Sequence, residues 1–141
     1  MTVPAVDLAL LRHINETAAF NQWAGFEVTQ AEPGRVELRL PWRAEFGQYA
    51  GFLHAGLVSA LIDTACGFAA ATVVGGQVLA SHCAVSFLAP ARGEVFVARG
   101  HVVKAGRRQV FTAADLSAEA DGARTLVASG QTILVPTGGQ R

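Results

Sequence analysis

The chain has 141 residues, of which 51% are hydrophobic and only 16% charged, against ~25% charged in an average soluble domain. That length fits one domain with a core of its own. A formal net charge of zero leaves no whole-protein field to attract nucleic acid or an anionic membrane.

Over residues 7–24, Leu8, Leu11, Ile14 and Ala18 recur at helical spacing, with Asn15, Asn21 and Gly25 marking a break and an end. The same segment has no basic start and carries Asp7, Arg12 and Glu16, which makes it a poor export signal. A cytoplasmic location is therefore expected. Residues 26–31 and 35–40 read as strands joined by the turn Glu32-Pro33-Gly34, and residues 41–53 as an irregular loop. A long helix follows over 55–73 and stops at Gly75-Gly76. Four more strands follow, at 78–88, 94–104, 107–119 and 124–135, expected as a meander. Ala105-Gly106 and Ala120-Asp121-Gly122 mark its hairpin turns. Residues 1–6 and 136–141 are expected to fray. The order predicts a single α+β domain over 1–141, a long antiparallel sheet curled around one central helix.

Cys66 and Cys83 lack metal or redox spacing and read as reduced core thiols. His13, His82 and His101 read as structural, and Trp23 and Trp42 as core or interface anchors. No His/Cys cluster has metal spacing, no G-x-S-x-G elbow is present, and there is no dinucleotide fingerprint.

The central helix carries the chemistry. Between Glu45 and Arg92 the only Asp, Glu, Lys or Arg is Asp63. On a helical wheel Leu57, Leu61 and Phe68 share one face. Asp63 lies away from them, beside Ser59, Ala60, Cys66 and Gly67. A strip of small residues lets a second backbone come close. Asp63 is then either one exposed acid near a helix end or a carboxylate held in a partly dry contact that tunes its protonation. His54-Ala55-Gly56 stands at the helix start, where unpaired N–H groups suit a carbonyl oxygen gaining negative charge. His54 itself reads either as a cap or as a catalytic group. Asp63 lies nine residues beyond His54, about 12 Å along the axis. Both ends reach one reactive group only if a second chain supplies one of them, as in a two-fold dimer with antiparallel helices. The surplus of small and apolar residues fits that self-association.

His54-Ala55-Gly56 followed by Leu61-Ile62-Asp63-Thr64-Ala65, with Phe87-Leu88-Ala89-Pro90 and the basic turn Lys104 to Arg108, resembles the hotdog-fold acyl-CoA thioesterases, closest to the phenylacetate-degradation (PaaI-like) subfamily. The resemblance covers nearly the whole chain. It implies an acyl-CoA substrate with no separate cofactor, because coenzyme A arrives as part of the substrate. It implies no metal, nucleic acid or membrane partner, and a homodimer extending to a dimer of dimers, a homotetramer. By the same resemblance Asp63 is nucleophile or general base. The Ala55 or Gly56 N–H of the opposing chain polarises the carbonyl, Gln48 contacts the thioester or the attacking water, and His54 holds Gln48 by hydrogen bonding. Arg107 and Arg108 are placed near the coenzyme A phosphates, with a plain polar hairpin tip as the other reading. Ala55 stands where the family has glycine. A supporting hydroxyl on the next strand falls at Ser81 or is missing at Ala80. Phe46, Tyr49, Phe52, Leu53 and Phe68 are candidate pocket residues, leaning toward aryl or medium-chain acyl groups. The alternatives are a hotdog hydratase or dehydratase using His54 as acid/base, and a non-catalytic acyl-CoA-binding module that does not need Asp63.

Overall fold

The computed structural model describes residues 6–137. Asp7 caps α1 (Leu8–Thr17), its carboxylate accepting the Leu10 N–H at 3.0 Å. A short α2 (Ala19–Ala24) follows and ends at Gly25 in the left-handed conformation. The break between the two helices falls at Ala18. Asn15 stays inside α1, where it is buried and donates to the Phe26 carbonyl at 2.8 Å, tying the helix to the sheet.

The strands are β1 (Glu27–Glu32), β2 (Arg35–Pro41), β3 (Val78–Phe87), β4 (Val95–Ala105), β5 (Val110–Ala120) and β6 (Ala123–Pro136), with α3 (Ala55–Val74) between β2 and β3. β5 starts three residues later than the sequence suggested, because the preceding turn closes from the Gly106 N–H to the Gln109 carbonyl. The β5–β6 turn has φ 52° at Asp121 and 77° at Gly122, the two positive values a two-residue type I′ turn requires. Pro136, expected to fray, is the last residue of β6 and pairs with Val78. Val6 packs half-buried against the core. Residues 1–5 and 138–141 of the expected frayed ends lie outside the described residues.

All six strands form one antiparallel sheet in the order β1-β2-β4-β5-β6-β3. The expected four-strand meander is thus corrected. Of the last four strands only β4-β5-β6 are sequential neighbours, and β3 pairs with β6 at the far edge. The link from β3 to β4 crosses the start of α3, where the Leu53 N–H donates to the Ala91 carbonyl at 2.9 Å.

The sheet curls around α3, which packs on every strand. Its 20 residues are long and apolar enough to cross a bilayer, and the wrapped sheet accounts for that apolarity. Leu61, Ile62, Ala65, Cys66, Ala69 and Ala70 are fully buried. Two glycines let the strands seat this closely. A Cβ on Gly100 would stand 2.5 Å from the Ala65 carbonyl oxygen, and one on Gly130 would stand 2.9 Å from Ile62. Cys66 therefore belongs to the core and not to the strip around Asp63, and burial raises its thiol pKa. Phe68, expected on the buried face, is only half-buried and sits on the Asp63 side. Cys83, expected in the core, is exposed on β3.

Candidate active site

The sequence before α3 builds a compact donor site. Gly47 bridges to Leu53, and the Gln48 N–H donates to the Phe52 carbonyl at 2.8 Å, so residues 48–52 form a closed loop. The Gln48 side-chain oxygen accepts the N–H groups of Ala50 and Phe52. Two backbone donors fix which end of that amide is the oxygen, and its NH2 is left as a donor on the cavity wall. His54 is the N-cap of α3, and its Nδ1 accepts the Gly56 N–H at 2.8 Å. The Leu57 and Val58 N–H groups both bond to the His54 carbonyl, at 2.9 and 3.1 Å. That leaves Ala55 as the one first-turn residue whose N–H has no partner among the described residues. Ala55 and Gln48 line one cavity of about 560 Å³, together with Phe52, Leu53, Phe87 and Leu88.

Asp63 lies elsewhere. It lines a second cavity, of about 610 Å³, between α3, α1 and the start of β3. Its Oδ1 is buried with no hydrogen-bond partner among the described residues. Desolvation by burial raises its pKa above the usual carboxylate value. No cation offsets it. Such a carboxylate is poised to take a proton from a group that enters the cavity.

The sequence-predicted residues therefore fall into two half-sites on one chain. Gln48, Phe52, Leu53, His54 and Ala55 gather at the start of α3, and Asp63 stands alone, eight residues or about 12 Å further along the helix. The expected hydrogen bond from His54 to Gln48 is not formed, because the His54 ring is turned to the Gly56 N–H and Gln48 is bonded within its own loop. Gly56 is consequently not a free donor. Arg107 and Arg108 are exposed in the β4–β5 turn and line neither cavity. Ala80 lines the Asp63 cavity, whereas the Ser81 hydroxyl donates to the Ile133 carbonyl at 3.3 Å. Phe46 is buried against Trp23, away from both cavities, and Tyr49 is fully exposed at the rim of the first. Sequence reasoning missed Phe87 and Leu88 as wall residues, and Arg92, whose guanidinium lies 5.9 Å from the Phe52 ring centre. It also missed Leu10, Ile14 and Leu79 around Asp63.

Comparison with known proteins decides the family. The pattern of the thioesterase superfamily matches residues 50–125, which contain α3, both half-sites' helix residues and strands β3 to β5. The chain belongs to the thioesterase superfamily. Human acyl-coenzyme A thioesterase 13 is 31% identical to this thioesterase over 106 residues, 74% of each chain. The crystal structure of a thioesterase family protein from Silicibacter pomeroyi superposes with a TM-score of 0.86 at 36% identity, covering 89% of this chain and 93% of that one. Zebrafish thioesterase superfamily member 2 shares the fold, with a TM-score of 0.83 at 23% identity and 94% and 100% coverage. The hotdog arrangement, a long central helix wrapped by a six-stranded antiparallel sheet, is thus the fold of this enzyme, a thioester hydrolase.

Proposed function

We propose that this thioesterase hydrolyses acyl-CoA to the free acid and coenzyme A, at a site shared by two copies of the chain. The observation that carries the reading is the separation of the two half-sites. An unpaired carboxylate, Asp63, and the unused Ala55 N–H stand about 12 Å apart on one helix, with the Gln48 amide beside Ala55 on the wall of the same cavity. β3 joins them. It is a ten-residue edge strand with no Lys, Pro, Asp or Glu, its Leu79 and Phe87 are exposed, and nothing covers it among the described residues. A bare edge of that kind pairs with another strand. Antiparallel pairing with a second β3, centred near Cys83, sets Leu79 of one chain beside Phe87 of its partner. Leu79 lines the Asp63 cavity and Phe87 the donor cavity, so two complete sites form per dimer.

In such a site the Ala55 N–H and the Gln48 amide of one subunit hold the thioester carbonyl oxygen. Asp63 of the other takes a proton from a water molecule, whose oxygen adds to the carbonyl carbon. The oxyanion is stabilised by donors already in place. It collapses to the acid and breaks the C–S bond, and the thiolate of coenzyme A leaves and takes up a proton. The same carboxylate attacking the carbonyl carbon directly, expelling the thiolate to form a mixed anhydride that water then hydrolyses to the acid and free Asp63, uses the same geometry. Arg92 lies outside the cavity lining but against Phe52, a wall residue, where its charge can meet the coenzyme A phosphates, whereas Arg107 and Arg108 touch neither cavity's lining within one chain.

Free-thiol release across a panel of acyl-CoAs, with Asp63→Asn beside the wild type, tests this. Hydrolysis of at least one acyl-CoA is expected, with kcat lowered about 10²- to 10⁴-fold in the variant. Full activity in Asp63→Asn would remove the carboxylate from the mechanism.

A further inference from the structure

The Asp63 cavity is a groove with a direction. Along α3 it runs from Asp63 past Gly67 and Ala71 to Gly75, a helical stripe of twelve residues or about 18 Å. α1 forms one wall with Leu10 and Ile14, and the start of β3 forms the other with Val78 and Leu79. Among the described residues, Asp63 is the one ionisable side chain on these walls. Nothing there neutralises a second carboxylate, so an acyl group ending in one would enter unpaired. Phe68 is the one aromatic side chain on the walls, and a single aryl ring would fill only the first part of the groove's length.

We infer that this groove holds an uncharged, extended alkyl chain, with the thioester carbonyl at Asp63 and the chain lying against α1. It rests on the reading of Asp63 as the hydrolytic carboxylate. An extended chain advances roughly 1.2 Å per bond, so 18 Å accommodates about fifteen bonds. The substrate class is therefore a medium- to long-chain, unbranched acyl-CoA. Leu10 and Ile14 set the chain length by the space they leave. Of the five residues behind the sequence's aryl leaning, only Phe68 lines this groove, while Tyr49, Phe52 and Leu53 line the donor cavity.

The test measures thiol release from acetyl-, butyryl-, octanoyl-, dodecanoyl-, succinyl- and phenylacetyl-CoA. The kcat/KM is expected to rise at least about tenfold from acetyl to dodecanoyl and to exceed that for the succinyl and phenylacetyl thioesters. Leu10→Trp and Ile14→Trp narrow the groove. Both side chains are 38% exposed, which leaves room for an indole without unfolding. Each is expected to lower the dodecanoyl-to-butyryl ratio of kcat/KM by about tenfold. Equal rates at all lengths, a succinyl or phenylacetyl preference, or ratios unmoved by both substitutions would overturn the groove while leaving hydrolysis intact. Release from no acyl-CoA would instead overturn the hydrolytic reading. Calorimetry with dodecanamide, an uncharged probe that brings no second carboxylate to Asp63, then decides the groove alone, with binding weakened in Ile14→Trp supporting it and no binding to the wild type overturning it.

Discussion

His54 Nδ1 accepts the Gly56 N–H at 2.8 Å, so the residue that opens α3 also occupies the second N–H of the helix. The ring must then carry its proton on Nε2. Its role is to fix the first turn and the direction of the Ala55 N–H, which makes it a positioning residue. Removing the cap with His54→Ala should cost about 1 kcal/mol of stability. It should lower kcat more than it raises KM, because the donor aimed at the oxyanion is misdirected while the walls remain. His54→Asn keeps a capping acceptor and should recover both melting temperature and most of kcat. If His54 acted as acid or base, as a dehydratase would need, Asn would rescue stability but no turnover.

Asp63 should set the pH profile. Burial raises its pKa above 3.8, and it works as a base or nucleophile only when ionised. The kcat/KM of the wild type should therefore climb with pH through an apparent pKa above that of an ordinary aspartate. Asp63→Asn should lose this limb along with most of the rate. A limb at the ordinary aspartate value, or one that persists in the variant, would assign it to another group.

The same burial has a cost in stability, with a definite sign. The folded-state pKa of Asp63 stands above its unfolded value, so folding favours the protonated form. The Asp63 contribution to stability is fully present below the unfolded value of 3.8, is lost as pH rises from there through the raised pKa, and stays lost above it. Asp63→Asn carries no such penalty. Its melting temperature should exceed that of the wild type at pH 7, and the gap should close as pH drops toward 4. Thermal melts across that range check it. A wild type more stable than the variant at pH 7 would mean the carboxylate has a partner.

How much of this was written in the sequence depends on how local the signal is. The central helix was legible because twenty residues with one charge and a Gly-Gly stop have few other solutions. Helix geometry singled out Asp63 and the donor-rich start of the helix, while their catalytic roles came from the resemblance and Ala55 was not told from Gly56. The place of β3 was not legible, since its pairing with β6 joins residues such as Val78 and Pro136 that are far apart in the chain. The wheel put Phe68 in the core and Cys66 on the strip because it cannot tell which side of a helix the sheet leaves open. One unused clue was present. Ten residues of β3 without a charge need cover on their edge as well as their faces. The wall from α1 left no such trace, because Leu10 and Ile14 look like any amphipathic pair.

The shared site predicts a result that a self-contained one does not allow. Ala55 is the first residue of α3, and His54 before it has φ −60° and ψ 138°. Proline is favoured at that helix position, and the extended conformation of His54 is the one a following proline requires. Ala55→Pro should thus delete the free N–H while keeping the helix, and lower kcat about 10²- to 10³-fold. Mixed with Asp63→Asn and allowed to exchange subunits, the two inactive proteins should complement. In a mixed dimer one site carries both defects. The other combines the intact Asp63 of the proline chain with the intact Ala55 N–H of the asparagine chain. Random pairing makes half the dimers mixed, each with one good site of two, so roughly a quarter of wild-type activity should return. Sedimentation of the wild type as a monomer, or a mixture that stays inactive after proven exchange, would overturn the shared site, and with it the joint action of Asp63 and the Ala55 N–H on one thioester.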